Sequence, residues 1–306
     1  MRILAVTGGH RVDLSAFDGM LAAICAERDW VFAHAAQPAA QGWLRPEHRG
    51  AFDAVLCHDV PGLRLQRGSR PSPVGPEAAV ARDLAAVLTA GQGFVFLHHA
   101  LAGWPGWPGW ADVLGGRYHY APAMLRGAPW PDSGFRYADY TARVVAESHA
   151  VCDGVPDFPL SDELYCCPVF ADEVVPLVRA DAPQGPFTGT LSEVLGTGGE
   201  AGSWQHPPPS DLIAWAKTAG RSPLVYLQPG DGPQTFADPH YRRLLGNALA
   251  WVASPAAHAW ARERPTDVVL PVDALPANTL LVKDADHAEP DATSGQQKRT
   301  PTWILD

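Results

Sequence analysis

Short apolar segments alternate with amphipathic stretches along the amino-terminal part of the chain, and this alternation constrains the fold more than any other feature. Residues 3–6, 54–57 and 93–97 are apolar and predict β-strands. Residues 15–28 and 77–90 carry apolar side chains at helical spacing and predict helices. Because strands that alternate with helices pack as a parallel sheet with right-handed crossovers, the pattern predicts a doubly wound α/β fold.

The polar residues that follow these strands predict where a functional site lies. A Gly-Gly-His turn ending at His10 follows the first strand, His58 follows residues 54–57, and the His98–His99 pair follows residues 93–97. The carboxyl ends of parallel strands meet at one edge of a sheet, where open α/β folds bind ligands. The sequence therefore predicts a site at this edge. The Gly-Gly-His turn lacks the GxGxxG pattern and the P-loop lysine of nucleotide-binding turns.

The His98–His99 pair stands where related α/β enzymes place a nucleophile elbow, the sharp turn from a strand into a helix. No serine or cysteine occupies this turn. An imidazole there suits a general base, a general acid or a metal ligand. Alternatively, one histidine packs inward and hydrogen-bonds to the backbone, but we expect at least one to be functional. Because neighbouring side chains diverge, we do not expect both to bind one metal ion.

A second cluster of polar residues contains Asp162, Glu163 and Tyr165. Two carboxylates and a phenol suit acid/base chemistry or the recognition of hydroxyl groups. The spacing by itself favours a plainer interpretation, in which Ser161 or Asp162 caps a short helix and the acids are exposed.

Three tryptophans, Trp104, Trp107 and Trp110, recur at every third position and are interleaved with Pro-Gly. Aromatic rings near a strand-end crevice suit stacking against a carbohydrate. Ordinary packing of an aromatic loop explains the pattern equally well.

The charge and the motif content argue against several classes of function. The formal net charge is −10 and basic residues form no cluster, which argues against nucleic-acid binding. No run of about 18 apolar residues occurs, so we expect no membrane span. The HExxH, CxxC and GxSxG motifs are absent, which argues against the zinc enzymes and serine hydrolases that carry them. The five cysteines are odd in number and are expected to be reduced thiols of a cytoplasmic protein.

Several short segments, in this order and at this spacing, resemble the ThuA-like, or trehalose-utilisation, family. They span about residues 1–254 and comprise Gly8-Gly9-His10 with Phe17 and Met20-Leu21, residues 91–100, Gly115-Gly116-Arg117-Tyr118, the stretch from His149 to Tyr165, residues 223–230, Asp238-Pro239 and a helix ending at Trp251. The resemblance implies a flavodoxin-like, doubly wound, mostly parallel sheet of the class I glutamine amidotransferase-like kind, with added antiparallel strands and loops.

The resemblance also implies a function. The amidotransferase cysteine of that superfamily sits at the elbow that His98-His99 occupies here, so glutaminase chemistry is not expected. The ThuA-like family is associated with the catabolism of trehalose and related disaccharides through 3-keto intermediates. Family members commonly carry a histidine where this chain has Asp231, which suggests a substitute ligand or a changed substrate. The polar positions that match the family are His10, His98, His99, Asp162, Glu163 and Tyr165.

Together these features predict an enzyme, a hydrolase, lyase or isomerase, that acts on a 3-keto disaccharide or glycoside. The expected base is His98 or His99. The expected acid, or the residue that binds a substrate hydroxyl, is Glu163 or Tyr165. Asp162, beside Glu163, is also expected to be catalytic. The expected substrate-binding residues are His10, Tyr165, Trp104 and Asp231. Two alternatives stay open: a hydrolase that holds a divalent metal such as zinc in the same crevice, and a non-catalytic sugar-binding or regulatory protein. A small carbohydrate is the expected partner, and a homo-oligomer is compatible with the sequence.

A single α/β domain is expected over residues 1–262. Residues 263–306 are rich in proline, aspartate and threonine and show no clear period, which predicts an extended carboxyl-terminal tail. The apolar residues 268–272 are expected to dock part of this tail.

Overall fold

One large mixed sheet with helices on both faces organises the chain. The computed structural model describes residues 1–66, 68–196 and 204–271. Its strands are β1 (Arg2–Gly8), β2 (Val31–Ala36), β3 (Ala54–Asp59), β4 (Leu63–Arg64), β5 (Ser72–Pro73), β6 (Phe94–Leu97), β7 (Ala123–Leu125), β8 (Ala128–Trp130), β9 (Gly134–Val144), β10 (Phe158–Cys166), β11 (Val175–Asp181), β12 (Thr188–Gly189), β13 (Leu212–Ala219) and β14 (Ser222–Leu227). Its α-helices are α1 (Leu14–Arg28), α2 (Ala78–Thr89), α3 (Trp110–Leu114), α4 (Thr190–Leu195), α5 (Pro233–Ala237), α6 (Pro239–Val252) and α7 (Pro255–Arg262).

The sheet has a parallel half and an antiparallel half. Strands β14, β6, β3, β1 and β2 are neighbours in this order and run parallel. On the other side of β14, the strands β13, β11, β9 and β10 continue the sheet with antiparallel pairing. The predicted α/β fold with a mostly parallel sheet and added antiparallel strands is confirmed. The carboxyl ends of β1, β3, β6 and β14 therefore lie along one edge.

The central strands bury both of their faces, because helices cover the sheet on both sides. In β1, Ile3 packs into the core beneath α1 and α6, whereas the next residue, Leu4, packs into the core beneath α2 and α3. Val95 and Phe96 divide between the same two cores in β6. The continuous apolar runs predicted this arrangement, since a strand exposed on one face would alternate apolar and polar residues.

Some local expectations are corrected by the structure. Helix α1 begins at Leu14 rather than at the predicted residue 15, and it is capped by Asp13, whose carboxylate accepts a hydrogen bond from the amide of Ala16 at 3.0 Å. The segment around Asp162 forms strand β10 rather than a short helix. Residues 183–210 are rich in glycine, proline and serine, a composition typical of a loop, but they contain β12 and α4. Residues 197–203 lie outside the described part of the chain.

The segment after α7 packs against the domain as far as it is described. The indole nitrogen of the buried Trp107 donates a hydrogen bond to the backbone oxygen of Val269 at 2.6 Å, and Leu270 is buried beside it. Residues 272–306, most of the predicted tail, lie outside the described residues. None of the helices in the described ranges is long and apolar enough to cross a membrane. All five cysteines are described, and none is paired in a disulfide.

Candidate functional site

The site is centred on the turn that follows β6. The strand ends at Leu97, and His98 takes a left-handed backbone conformation with a φ of 44°. A non-glycine residue in this conformation is strained by about 1–2 kcal/mol, and here the carbonyl of His98 is held by the hydroxyl of Tyr226, which donates to it at 2.9 Å. Because the turn breaks the alternation of the strand, the rings of His98 and His99 lie with centroids 4.2 Å apart. The expectation that these two side chains diverge is therefore wrong.

Both ring nitrogens of His98 have partners. Nδ1 lies 2.6 Å from the backbone oxygen of Gln228, which can only accept, so this nitrogen carries a proton. Nε2 lies 2.7 Å from the hydroxyl of Tyr165 and 3.4 Å and 3.6 Å from the carboxylates of Glu163 and Asp231. Burial lowers the pKa of His98, but hydrogen bonds with Asp231 and Glu163 outweigh burial and raise it to about 10. His98 is therefore an imidazolium at neutral pH and does not suit the role of base.

The neighbouring histidines are neutral. His99 and His10 stack with ring centroids 3.8 Å apart. Burial and the charge of His98 lower the pKa of both, that of His99 well below its usual value. Nδ1 of His99 is buried and has no hydrogen-bond partner in the described part of the chain. His58 is buried beside them with Nε2 2.8 Å from the backbone oxygen of Gly230, and burial lowers its pKa to about 4. Three neutral imidazoles thus surround one charged imidazolium.

Strand β10 presents its two acidic residues to opposite faces, because successive side chains of a strand alternate. Asp162 is buried in step with Leu160 and Leu164, whereas Glu163 and Tyr165 face the cavity described below. Strand β10 contacts the segment that follows β14, from Gly230 to helix α5, although three strands separate β10 from β14 in the sheet.

Asp162 makes this connection. One oxygen of its carboxylate accepts hydrogen bonds from the amide of Gly230 at 2.8 Å and the hydroxyl of Thr235 at 2.6 Å. The other oxygen accepts from the amides of Glu163 at 2.6 Å and Asp231 at 3.3 Å. Each of these partners donates, and the side chain is completely buried. Asp162 therefore supports the turn at residues 230–231 and does not border the cavity.

Asp231 stands at the mouth of the site. Its carboxylate accepts a hydrogen bond from the hydroxyl of Tyr137 at 2.5 Å and faces Nε2 of His98. Burial acts to raise the pKa of Asp231, but the contacts with His98 and Tyr137 prevail and lower it. A second carboxylate, that of Glu163, faces the same nitrogen, so the imidazolium is shared between two acidic groups.

A cavity of about 300 Å³, the site cavity, lies in front of these groups. It is bordered by His10, Leu65, His99, Ala102, Tyr118, Tyr120, Phe135, Tyr137, Glu163, Tyr165, Thr190, Glu193, Val194 and Asp231. His98 and Asp162 lie behind this wall. The structure does not place Trp104 in the cavity, since its side chain is 6% exposed and packs in the core with Trp107 and Trp110.

The sequence analysis placed His58 at this edge by its strand-end position but gave it no role, and the structure buries it beside His98 and His99. Tyr137 is a residue that the sequence predictions did not include in the site. Tyr137 lies in the long strand β9, where nothing distinguishes it from other exposed positions before its contact with Asp231 is seen.

The same groups have a geometry that suits a metal ion. One nitrogen or oxygen atom from each of His98, His99, Glu163 and Asp231 lies within 4.8 Å of all the others. Nδ1 of His98 donates to a backbone carbonyl, which is how the second nitrogen of a metal-binding histidine is usually oriented. Two imidazoles and two carboxylates suit zinc or a similar divalent ion.

Comparison with known proteins places this geometry in context. Residues 72–252 match the family model named ThuA, which is described as trehalose utilisation. A ThuA-like protein from Parabacteroides merdae has a similar structure, with a TM-score of 0.57 and 15% identity over 83% of this chain and 90% of that one. A ThuA-like protein from Bacteroides uniformis gives 0.54 and 16%, over 83% and 92%. At these identities the structures support the fold alone. A comparison with curated protein sequences finds no match.

Proposed function

The chain belongs to the ThuA family, and on this premise we propose that it is a sugar-catabolic enzyme that acts by acid/base chemistry on a 3-keto disaccharide or glycoside, such as a trehalose derivative. The observation that carries the proposal is geometric: His99 borders the cavity and lies against His98, whose Nε2 faces the carboxylates of Glu163 and Asp231. Neighbouring titratable groups whose pKa values are driven apart, as those of His98 and His99 are, commonly mark an active site.

His99 is the proposed base. A carbon beside the carbonyl of a 3-keto sugar carries an acidic proton, and a neutral imidazole is able to remove it. The ring of His99 borders the cavity, and His10 stacks against it and fixes its orientation. The carboxylates of Glu163 and Asp231 lie near enough to stabilise the imidazolium that forms.

Tyr165 is the proposed hydrogen-bond donor to the substrate oxygen. Burial raises the pKa of Tyr165 well above its usual value, so the phenol keeps its proton. Its oxygen lies 2.7 Å from Nε2 of His98, where it accepts from the imidazolium and remains free to donate its own proton into the cavity. A donor fixed in this way stabilises the negative charge that develops on the carbonyl oxygen during proton removal. His98 is therefore a positioning residue for Tyr165, Glu163 and Asp231.

The experiment is a hydrogen-exchange assay by NMR in heavy water with methyl 3-keto-α-D-glucopyranoside. We expect protein-dependent exchange of the protons beside the carbonyl, and we expect His99→Gln to slow it by about 10²–10⁴-fold. His48→Gln is the matched control, because His48 contacts Trp43 and does not border the cavity. Exchange at the unmodified rate in His99→Gln would refute the role of His99. Saturable binding of the sugar without exchange or cleavage would refute the catalytic function and indicate a sugar-binding protein instead.

A second candidate, a metal-dependent hydrolase, is favoured by the four ligand atoms within 4.8 Å of one another. It predicts a stoichiometric divalent metal in the purified protein, measured by mass spectrometry. It also predicts that a chelator abolishes turnover and that zinc restores it. Turnover that persists after complete removal of metal would refute the metal-dependent hydrolase and leave the acid/base enzyme as the remaining candidate.

A further inference from the structure

A second cavity, of about 120 Å³, adjoins the site cavity. Ala102, Tyr118 and Tyr120 border both cavities, so the two are neighbours across these residues. Most of the remaining wall is apolar and includes Leu63, Pro71, Pro73, Pro105, Pro108 and Pro122. We call this cavity the proline pocket. An apolar cavity of about 150 Å³ holds one benzene molecule, so the proline pocket has room for about one ring.

Arg117 borders the proline pocket and is only 4% exposed. Its two terminal nitrogens donate to the backbone oxygens of Gly103 and Trp104, each at 2.8 Å. These carbonyls orient the guanidinium but supply no negative charge. Burial lowers the pKa of Arg117 to about 10, and no carboxylate in the described part of the chain offsets this effect. Among the described residues, Arg117 is therefore a buried cation without a counter-ion, which is an expensive arrangement in an apolar setting.

The second basic side chain in the wall of the proline pocket is His119, which adds no charge to the pocket. It is buried, and its Nδ1 has no hydrogen-bond partner in the described ranges. Burial, together with the charge of Arg117, lowers the pKa of His119, which leaves it neutral. Among the described residues, the wall of the proline pocket thus carries one positive charge, whereas the wall of the site cavity carries the carboxylates of Glu163, Glu193 and Asp231.

We propose that the proline pocket binds a ring of the substrate that carries a carboxylate, with Arg117 as its counter-ion. This inference rests on the proposed function, because it assigns the part of a glycoside that lies beyond the reacting sugar. The carboxylates of Glu163, Glu193 and Asp231 outnumber the single positive charge of His98, so the site cavity repels an anion and leaves the hydroxyl-rich keto ring beside His99. The positive charge of Arg117 attracts the carboxylate to the apolar pocket, so the two cavities fix the direction in which the substrate binds.

The test uses benzoate and its neutral isostere benzamide, titrated into the full chain by calorimetry. Because charge-assisted hydrogen bonds are about twice as strong as neutral ones, we expect benzoate to bind roughly tenfold more tightly. Arg117→Met should abolish this preference, and Arg117→Lys should retain part of it. Equal affinity for the two compounds, or an unchanged preference in a folded Arg117→Met protein, would overturn the proposal.

A third ligand keeps the test independent of whether the variants fold, since Arg117 also holds the carbonyls of Gly103 and Trp104. Benzylamine, the cationic analogue, should bind the unmodified protein more weakly than benzamide, and tighter binding would overturn the proposal. Binding of these compounds needs no turnover. A protein that prefers benzoate but shows no exchange with keto glycosides would refute the proposed function and retain the assignment of the pocket.

Discussion

Replacing Asp162 by asparagine should destabilise the protein by about 2.5 kcal/mol or more. The two oxygens of this buried carboxylate accept from different backbone amides, those of Gly230 and Glu163. In Asp162→Asn, one of these amides must face the new NH₂ group, whichever way the side chain turns. A hydrogen bond to a charged acceptor contributes about 1.5–3 kcal/mol, and leaving a buried donor unsatisfied costs about 1–3 kcal/mol. The sum of the two lower values gives the expected loss.

The assay is urea unfolding followed by tryptophan fluorescence, with the free energy of unfolding taken from the midpoint and slope. Thr235→Val is the matched control, because it removes one donor to Asp162 at nearly constant shape. It should cost about 1.5 kcal/mol, less than Asp162→Asn. An Asp162→Asn protein within about 0.5 kcal/mol of the unmodified protein would refute the view that this carboxylate holds the turn at residues 230–231.

Three further predictions concern residues outside the reacting groups. Gly9→Ala should cost about 2 kcal/mol or more in urea unfolding, because Gly9 has a φ of 80° and an added Cβ would collide with the carbonyl of Val60; Gly42→Ala, with open space around it, should change stability by less than about 0.5 kcal/mol. His119 has a pKa of about 4 when folded and about 6.5 when unfolded, so the unfolded chain takes up its proton first as the pH falls. The contribution of His119 to stability, fully present above pH 6.5, should therefore decrease by about 3 kcal/mol by pH 4. His119→Gln should remove this part of the pH dependence, and an unchanged slope would contradict the prediction. Trp107→Phe should lose about 1 kcal/mol and speed proteolysis of the docked carboxyl-terminal segment, since the indole hydrogen bond to that segment is lost; unchanged cleavage would show that the contact does not hold the segment.

The parallel half of the sheet was predictable because its signals are local. Apolar runs such as residues 93–97 are bounded by turn residues, and their burial on both faces follows from the run itself. Strand β10 was not predictable in the same way. Its buried Asp162 interrupts the apolar alternation, and the partners that make this burial tolerable, Gly230 and Thr235, lie about 70 residues further along the chain.

The sequence predicted where the candidate site lies but not which residue has which role in it. Because His10 and His99 follow parallel strands, the sequence predicted that both lie at one edge of the sheet. In the structure both border the site cavity. The choice between His98 and His99 as base depended on contacts with Gln228 and Tyr165, which no spacing reveals. The tryptophans were ambiguous because core packing and sugar stacking use the same residues, and burial decides in favour of packing for Trp104, Trp107 and Trp110.

The most direct test of the account is an NMR titration of the histidine side chains with ¹⁵N-labelled, metal-free protein between pH 6 and 9. The rings are assigned by comparison with His98→Gln and His99→Gln. We predict that His98 remains doubly protonated over the whole range, because Glu163 and Asp231 face its Nε2, and that His99 is neutral throughout. A His98 ring that loses its proton near pH 6.5, or a His99 ring charged at neutral pH, would contradict the assignment of base and positioning residue.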